Sequence, residues 1–260
     1  MEINYNIPNG IERVRIDVGM SSTGPHTCYW LRKYENIAVI GFEPNPDNFK
    51  SLYDGHMYVE NAYQLIDDKK IITKNNQLIC NYAEKNNIFI GFDFAVDNVE
   101  IPTQKTFYCT SILNTGCSSL YKPIDGRLNG VTLEKEVSVT AIPLKMILEK
   151  FPFDRIPYIE YLKVDTQAND IPVIKSCGEY IKKACFVSCE YFTNGEYEGE
   201  RGQYESFMEL DSIMKDNGFR CYSRSGVDAF FVNEELLPII FENSILNDLA
   251  DLENGLNYIN

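Results

Sequence analysis

Four carboxylates close apolar runs of strand length: Asp17 in RIDVG (15–19), Glu43 in GFEP (41–44), Asp165 in YLKVDT (161–166) and Glu190 in ACFVSCEY (184–191). A strand-end carboxylate can accept from both hydroxyls of a ribose, or take a proton from a nucleophile within hydrogen-bond reach. Gly19 follows Asp17, and a glycine there lets the backbone turn sharply and approach a ligand with no Cβ in the way. Gly24 completes the spacing of a phosphate loop, but Pro25-His26 occupies the place of Lys-Ser/Thr. The dinucleotide fingerprint GxGxxG is also missing, since Ser21 stands at its second glycine. Pyrophosphate is therefore disfavoured. A nucleoside cofactor without phosphate fits what remains, which points to S-adenosylmethionine.

Elements must carry these groups to one edge. Apolar patterning predicts strands near 14–18, 38–43, 89–96, 161–165 and 184–190, then a closing pair near 219–224 and 228–232. Strands alternating with helices imply a mostly parallel sheet with right-handed crossovers. Ligands on such sheets bind at the carboxyl ends of strands, where Asp17, Glu43, Asp165 and Glu190 all fall. Phe207, Leu210 and Met214 recur at helical spacing within 203–217, ahead of the stop at Gly218. Residues 60–88 are long for a connection and are expected to form an insertion with a helix around 75–86. The segment 105–140 is a candidate substrate lid, its alternative being an extra hairpin over a sheet edge. The tail 244–260 reads as a peripheral helix or a partner-binding segment.

The 260 residues suit a single α/β domain spanning 1–260. A net charge of −14 argues against a nucleic-acid partner bound over a broad surface, and no apolar window approaches a membrane span. The N-terminus MEINYNIPNG is neither basic nor apolar, so no signal peptide is read there and a cytoplasmic location is expected. Eight cysteines without a CxxC pair, and just two histidines, argue against structural zinc. Reduced thiols, several in the core, are expected instead.

Several segments together resemble the FkbM-type family of S-adenosylmethionine-dependent methyltransferases. They are RIDVGMSSTG (15–24), GFEPNP (41–46), AVDN (95–98), CSSLY (117–121), YLKVDTQANDIPVIKSC (161–177), VSCEYF (187–192), Gly218-Phe219 and VDAFFVN (227–233). The run KVDTQ-x-x-D at a strand end is the most specific. Two departures stand out. Met20 to Thr23 replace the family's usual Ala-Asn-x pattern before a glycine, and Ala168 stands where glycine is usual. The 60–88 insertion has no family counterpart.

The resemblance implies a class I, Rossmann-like methyltransferase fold: a mostly parallel seven-stranded sheet with an antiparallel C-terminal hairpin and helices on both faces. It implies a cofactor site across the first three strand ends. There Asp17 and Gly19 approach the methionine part, Glu43 takes the ribose hydroxyls, and Phe42 or Pro44 packs on adenine. The backbone at Ala95 and Val96 meets the adenine edge. For Phe42, core packing is the favoured reading. The implied reaction is methyl transfer to a hydroxyl of a small polar acceptor, a sugar of a glycan or glycan precursor.

A hydroxyl needs a base to become a nucleophile. Asp165 ranks first for that role, with Glu190 and His26 as further catalytic candidates; Asp165 is also placed to help hold a divalent cation. Gln167 is assigned to positioning, Ser118 and Ser119 to acceptor binding or a turn. Asp170 reads as a substrate contact or as the N-cap of a helix that Pro172 tolerates in its first turn. Two competing readings are a catalytically inactive binding module of the same fold and an NAD-dependent sugar oxidoreductase. Acceptor identity, metal requirement and oligomeric state stay open at this level.

Overall fold

A computed structural model describes residues 3, 5–54, 70–74, 77–82, 85–128, 130–191, 195–198 and 207–242. In chain order, β1 (Arg13–Val18) leads through α1 (Pro25–Lys33) to β2 (Ile37–Phe42) and α2 (Pro46–Asp54). Then come β3 (Lys70–Lys74), β4 (Gln77–Tyr82), β5 (Asn87–Phe92), β6 (Ala95–Val96), β7 (Thr103–Thr110) and β8 (Leu133–Ile142). The C-terminal part holds α3 (Lys145–Leu148), β9 (Ile159–Val164), α4 (Asp170–Ser176), β10 (Ala184–Glu190) and α5 (Phe207–Asp216). It closes with β11 (Phe219–Ser225), β12 (Asp228–Asn233) and α6 (Leu237–Glu242).

The large sheet has nine strands in the order β11-β12-β10-β9-β1-β2-β5-β4-β3. Its centre, β10-β9-β1-β2-β5, is parallel, with β12 antiparallel between β10 and β11. Seven strands were expected; the difference is the antiparallel β3–β4 hairpin, which pairs with β5. The same hairpin overturns the helix predicted around 75–86. The reason is β5, every residue of which is buried: as the last strand it would present an open backbone edge, and a paired β4 closes it. Residues 60–69 and 244–260 lie outside the described residues.

The expected strand 89–96 is split in two. β5 stops at Phe92, and Ala95–Val96 joins a second sheet of three strands, β6-β8-β7. The segment 105–140 is thus built on the β7–β8 pair, with a 3-10 helix at Ile112–Cys117 between them.

Alternation along the strands divides the core into two layers. Ile16, Ile40, Ile90, Leu162 and Val187 face one way, toward Ile171 and Ile174 of α4 and Leu210 and Met214 of α5. Val39, Phe89, Tyr161 and Phe186 face the other, toward Trp30 of α1, Leu52 of α2 and Ile240 of α6. Helices therefore cover both faces. At the amino end of the second layer, Arg15 is buried, paired with Glu160 at 3.0 Å and lying over the rings of Trp30 and Tyr34.

Candidate functional site

The carboxyl ends of β1, β2 and β9 open onto a cavity that, together with its solvent-open mouth, holds about 570 Å³ of empty space. Val18, Phe42, Phe94 and Val96 form an apolar wall, and Gly19, Glu43, Pro44, Ser118, Asp165 and Thr166 also line it. Phe42 stacks on Phe92 at 5.4 Å and Phe92 on Phe94 at 5.9 Å, so the wall continues the core. The turn after β1 depends on Gly19, whose φ is +82°. A Cβ there would stand 1.8 Å from the Asp165 carbonyl oxygen. The close approach that needs glycine is therefore between two strand ends.

Glu43 follows β2 into the cavity wall and is almost wholly buried. Its Oε1 accepts from the Asn45 backbone N–H at 2.9 Å and from Asn48 Nδ2 at 3.4 Å. Burial pushes its carboxyl up to about 7, outweighing those donors. Asn45 Nδ2 in turn donates to Ser118 Oγ at 3.4 Å, and Ser118 Oγ accepts from the Thr110 N–H at 3.1 Å. Ser118 thus links the smaller sheet to the Glu43 loop.

A buried lysine organises the reaction edge. Lys163 Nζ donates to the Gly19 carbonyl at 2.6 Å and lies 3.2 Å from Asp17 Oδ1 and 3.3 Å from Asp165 Oδ2. Burial works against the ammonium, and Asp165 and Asp17 overcome it, raising its pKa. Asp17 is fully buried behind the cavity wall, where it also accepts from Thr27 Oγ1 at 2.7 Å. Burial likewise opposes ionisation of Asp165, yet Lys163 and Gln167 hold that carboxyl below its ordinary range.

Gln167 and Ala168 both adopt left-handed backbone angles, φ 57° and 74°. The turn aims Gln167 Nε2 at Asp165 Oδ1 and Glu190 Oε2, each at 2.9 Å. Gln167 Oε1 accepts from the Tyr197 hydroxyl at 3.0 Å. Burial raises Glu190 well above its usual range, with Asp165, Asp170 and Asp228 adding to the rise. Burial also lifts Asp170 to about 7 and Asp228 to about 6, Asp165 adding to both.

The remaining candidates are distributed unevenly. Asp165 and Glu190 meet at Gln167, while His26 sits half-buried in the first turn of α1, its ring 5.9 Å from that of Trp30. Burial, with Lys163 adding, lowers His26 to about 4, leaving it neutral and weakly basic. Ala95 and Val96 line the cavity, but the Val96 carbonyl accepts from Asn169 Nδ2 at 2.9 Å. Ser119 is buried outside the cavity lining and donates to the Gln167 carbonyl at 2.5 Å. Asp170 is not the N-cap. Asn169 holds that position, and Asp170, first in the helix, accepts from the Thr166 N–H at 3.1 Å. Folding back to close the preceding turn takes its carboxylate away from the cap. Among the described residues no three His, Cys, Asp or Glu side chains converge as a metal site, and no helix is long and apolar enough to cross a membrane.

Lys163, Asn169, Thr27 and Tyr197 were not foreseen. Lys163 alone carried a signal, as the one cation in the apolar run YIEYLKV (158–164), two positions before Asp165 and so on the same face. A family model described as the methyltransferase FkbM domain matches residues 17–221. No curated protein and no solved structure matches the chain.

Proposed function

The chain belongs to the FkbM methyltransferase family, and from that premise we propose that it transfers a methyl group from S-adenosylmethionine to a hydroxyl of a small polar acceptor, a sugar of a glycan or glycan precursor. The observation that carries the cofactor reading is Glu43, a buried carboxyl on the cavity wall that burial keeps raised despite its donors from Asn45, Asn48 and Ser21, so that its ionised form gains from further donors. A ribose supplies them as two hydroxyl donors. The apolar wall of Phe42, Phe94 and Val96 suits a flat base, and Pro44 borders the same space. Gly19 brings bare backbone to the cavity beside Asp165, which suits the amino-acid end of the cofactor.

When bound, the cofactor supplies a methyl group on a positively charged sulfur. The chain's own share is alignment and proton handling. Asp165, a third exposed and fixed by Lys163 and Gln167, orients the acceptor hydroxyl. The segment 105–140 stands over the cavity through Phe107, Thr115, Gly116, Ser118 and Leu120, and its proposed role is a substrate lid. The sugar class of the acceptor rests on family resemblance alone.

Calorimetry with S-adenosylmethionine tests the cofactor reading. Micromolar binding, weakened at least about tenfold by Glu43→Ala, is expected from loss of charged hydrogen bonds. Binding no tighter than millimolar, or indifferent to that substitution, would overturn it. Mass spectrometry of candidate glycans incubated with isotope-labelled cofactor tests the acceptor.

A further inference from the structure

The hydrogen bonds at the reaction edge give the carboxylates of Asp165 and Glu190 different surroundings. Asp165 is held on both oxygens, Oδ1 by Gln167 Nε2 at 2.9 Å and Oδ2 by Lys163 at 3.3 Å. Glu190 is held on one: Oε2 accepts from the same Gln167 nitrogen at 2.9 Å, and Oε1 has no hydrogen-bond partner among the described residues. The amide cannot turn over, because its oxygen would then face the ionised Asp165. The Tyr197 hydroxyl lies 3.0 Å from both Gln167 Oε1 and the Cys117 carbonyl oxygen, with one proton to share between them.

The surroundings of Glu190 are crowded with negative charge. Asp228 of β12 stands directly across the ladder from it, a position in which like charges repel. Asp165, just past the end of β9, shares the Gln167 amide with it, Asp170 of α4 adds repulsion, and the Tyr197 phenol lies nearby. Lys163, the cation acting on Glu190, is divided between Asp17 and Asp165. An ionised Glu190 is therefore poorly compensated until more positive charge arrives. The cavity beside it is walled by Asp165, one amide away.

Resting on the methyl-donor reading above, we infer that binding of the positively charged donor drives a proton off Glu190, and that the freed carboxylate is the base for the acceptor hydroxyl. A cation on the Asp165 side favours the ionised form of its neighbour. The acceptor oxygen then bonds to the methyl carbon as the carbon–sulfur bond breaks, its electron pair staying on sulfur, and the hydroxyl proton passes to Glu190 Oε1. Asp165 stays charged throughout and orients the hydroxyl. Lys163 and Gln167 are positioning residues.

The test needs no acceptor. Calorimetry near pH 7 in two buffers of different ionisation enthalpy counts protons released on binding S-adenosylmethionine and S-adenosylhomocysteine. These ligands share the ribose that engages Glu43 and differ by the charge on sulfur. S-adenosylmethionine is expected to release up to about one proton more per site. In Glu190→Gln both ligands still bind and the difference disappears. Asp228→Asn removes one of the repelling charges, lowers the share of Glu190 that is protonated beforehand, and shrinks the difference. Equal release by the two ligands in the unmodified protein, a difference that survives Glu190→Gln, or one unmoved by Asp228→Asn overturns the inference while leaving the cofactor reading intact. If neither ligand binds, the methyl-donor reading falls and the inference with it.

Discussion

At Gly19 the absence of a side chain lets two strand ends meet. Gly19→Ala places a methyl group 1.8 Å from the Asp165 carbonyl oxygen in a left-handed conformation. It should destabilise the protein by about 2–4 kcal/mol, read from the urea midpoint. Ala168 tells the converse story, since its φ of 74° explains why a glycine is usual there. Ala168→Gly should relieve about 1 kcal/mol of backbone strain, with some of the gain offset by lost packing on Tyr197. Glu43 sets a pH dependence for binding. Its carboxyl, lifted to about 7, loses acceptor capacity when protonated. Affinity for S-adenosylhomocysteine should therefore fall as pH drops below 7, by up to about tenfold per unit. Glu43→Gln should flatten that profile and weaken binding at pH 8; an unchanged slope in calorimetry would exclude Glu43 as its source.

Between elements, Lys163 ties the ends of β1 and β9 together through the Gly19 carbonyl, Asp17 and Asp165. Lys163→Met leaves the buried Asp17 with Thr27 as its remaining side-chain donor. That should cost about 3–5 kcal/mol in a denaturation curve, and adding Asp17→Asn should recover part of it. Strand ends at Asp17, Glu43, Asp165 and Glu190 were visible because apolar runs with a terminal acid have a local pattern. Lys163 is hard to read from the chain because two of its three partners, Asp17 and Gly19, belong to β1 and its edge, and register is a long-range property. The β3–β4 hairpin was misread for a related reason: Gln77–Tyr82 has no decisive period of its own, and its conformation is set by the open edge of β5. The Asp170 cap failed by one residue, within the usual blur of helix boundaries. Ser119 reads from the chain as an acceptor contact or a turn residue; its buried hydroxyl accepts from the Tyr121 N–H at 3.0 Å, as in a turn, and donates to the Gln167 carbonyl.

Across the whole molecule, the shifted groups set a direction for stability against pH. Glu43 and Asp170 at about 7, Asp228 at about 6 and the raised Glu190 all keep protons in the folded state that the unfolded chain has already lost. Stability tied to them is full below the ordinary carboxyl range and declines as pH rises toward 7. His26, lowered to about 4, works the other way, as does Asp165: their contributions are lost on acidification. Four raised acids against one histidine in the window from 5.5 to 7.5 leave a net fall with rising pH. The ligand-free protein should therefore melt at a higher temperature at pH 5.5 than at pH 7.5, and Glu43→Gln with Glu190→Gln should narrow the gap. A melting temperature that rises toward pH 7.5 would show that other groups dominate. Trp30 offers a way to watch these changes, since the chain has one tryptophan and it is fully buried. It packs beneath α1 between Arg15, His26 and Tyr161. Its fluorescence should be blue-shifted in the native protein and move red on unfolding. As the single indole, it makes the helix that follows the Gly19 turn an internal optical probe, needing no label.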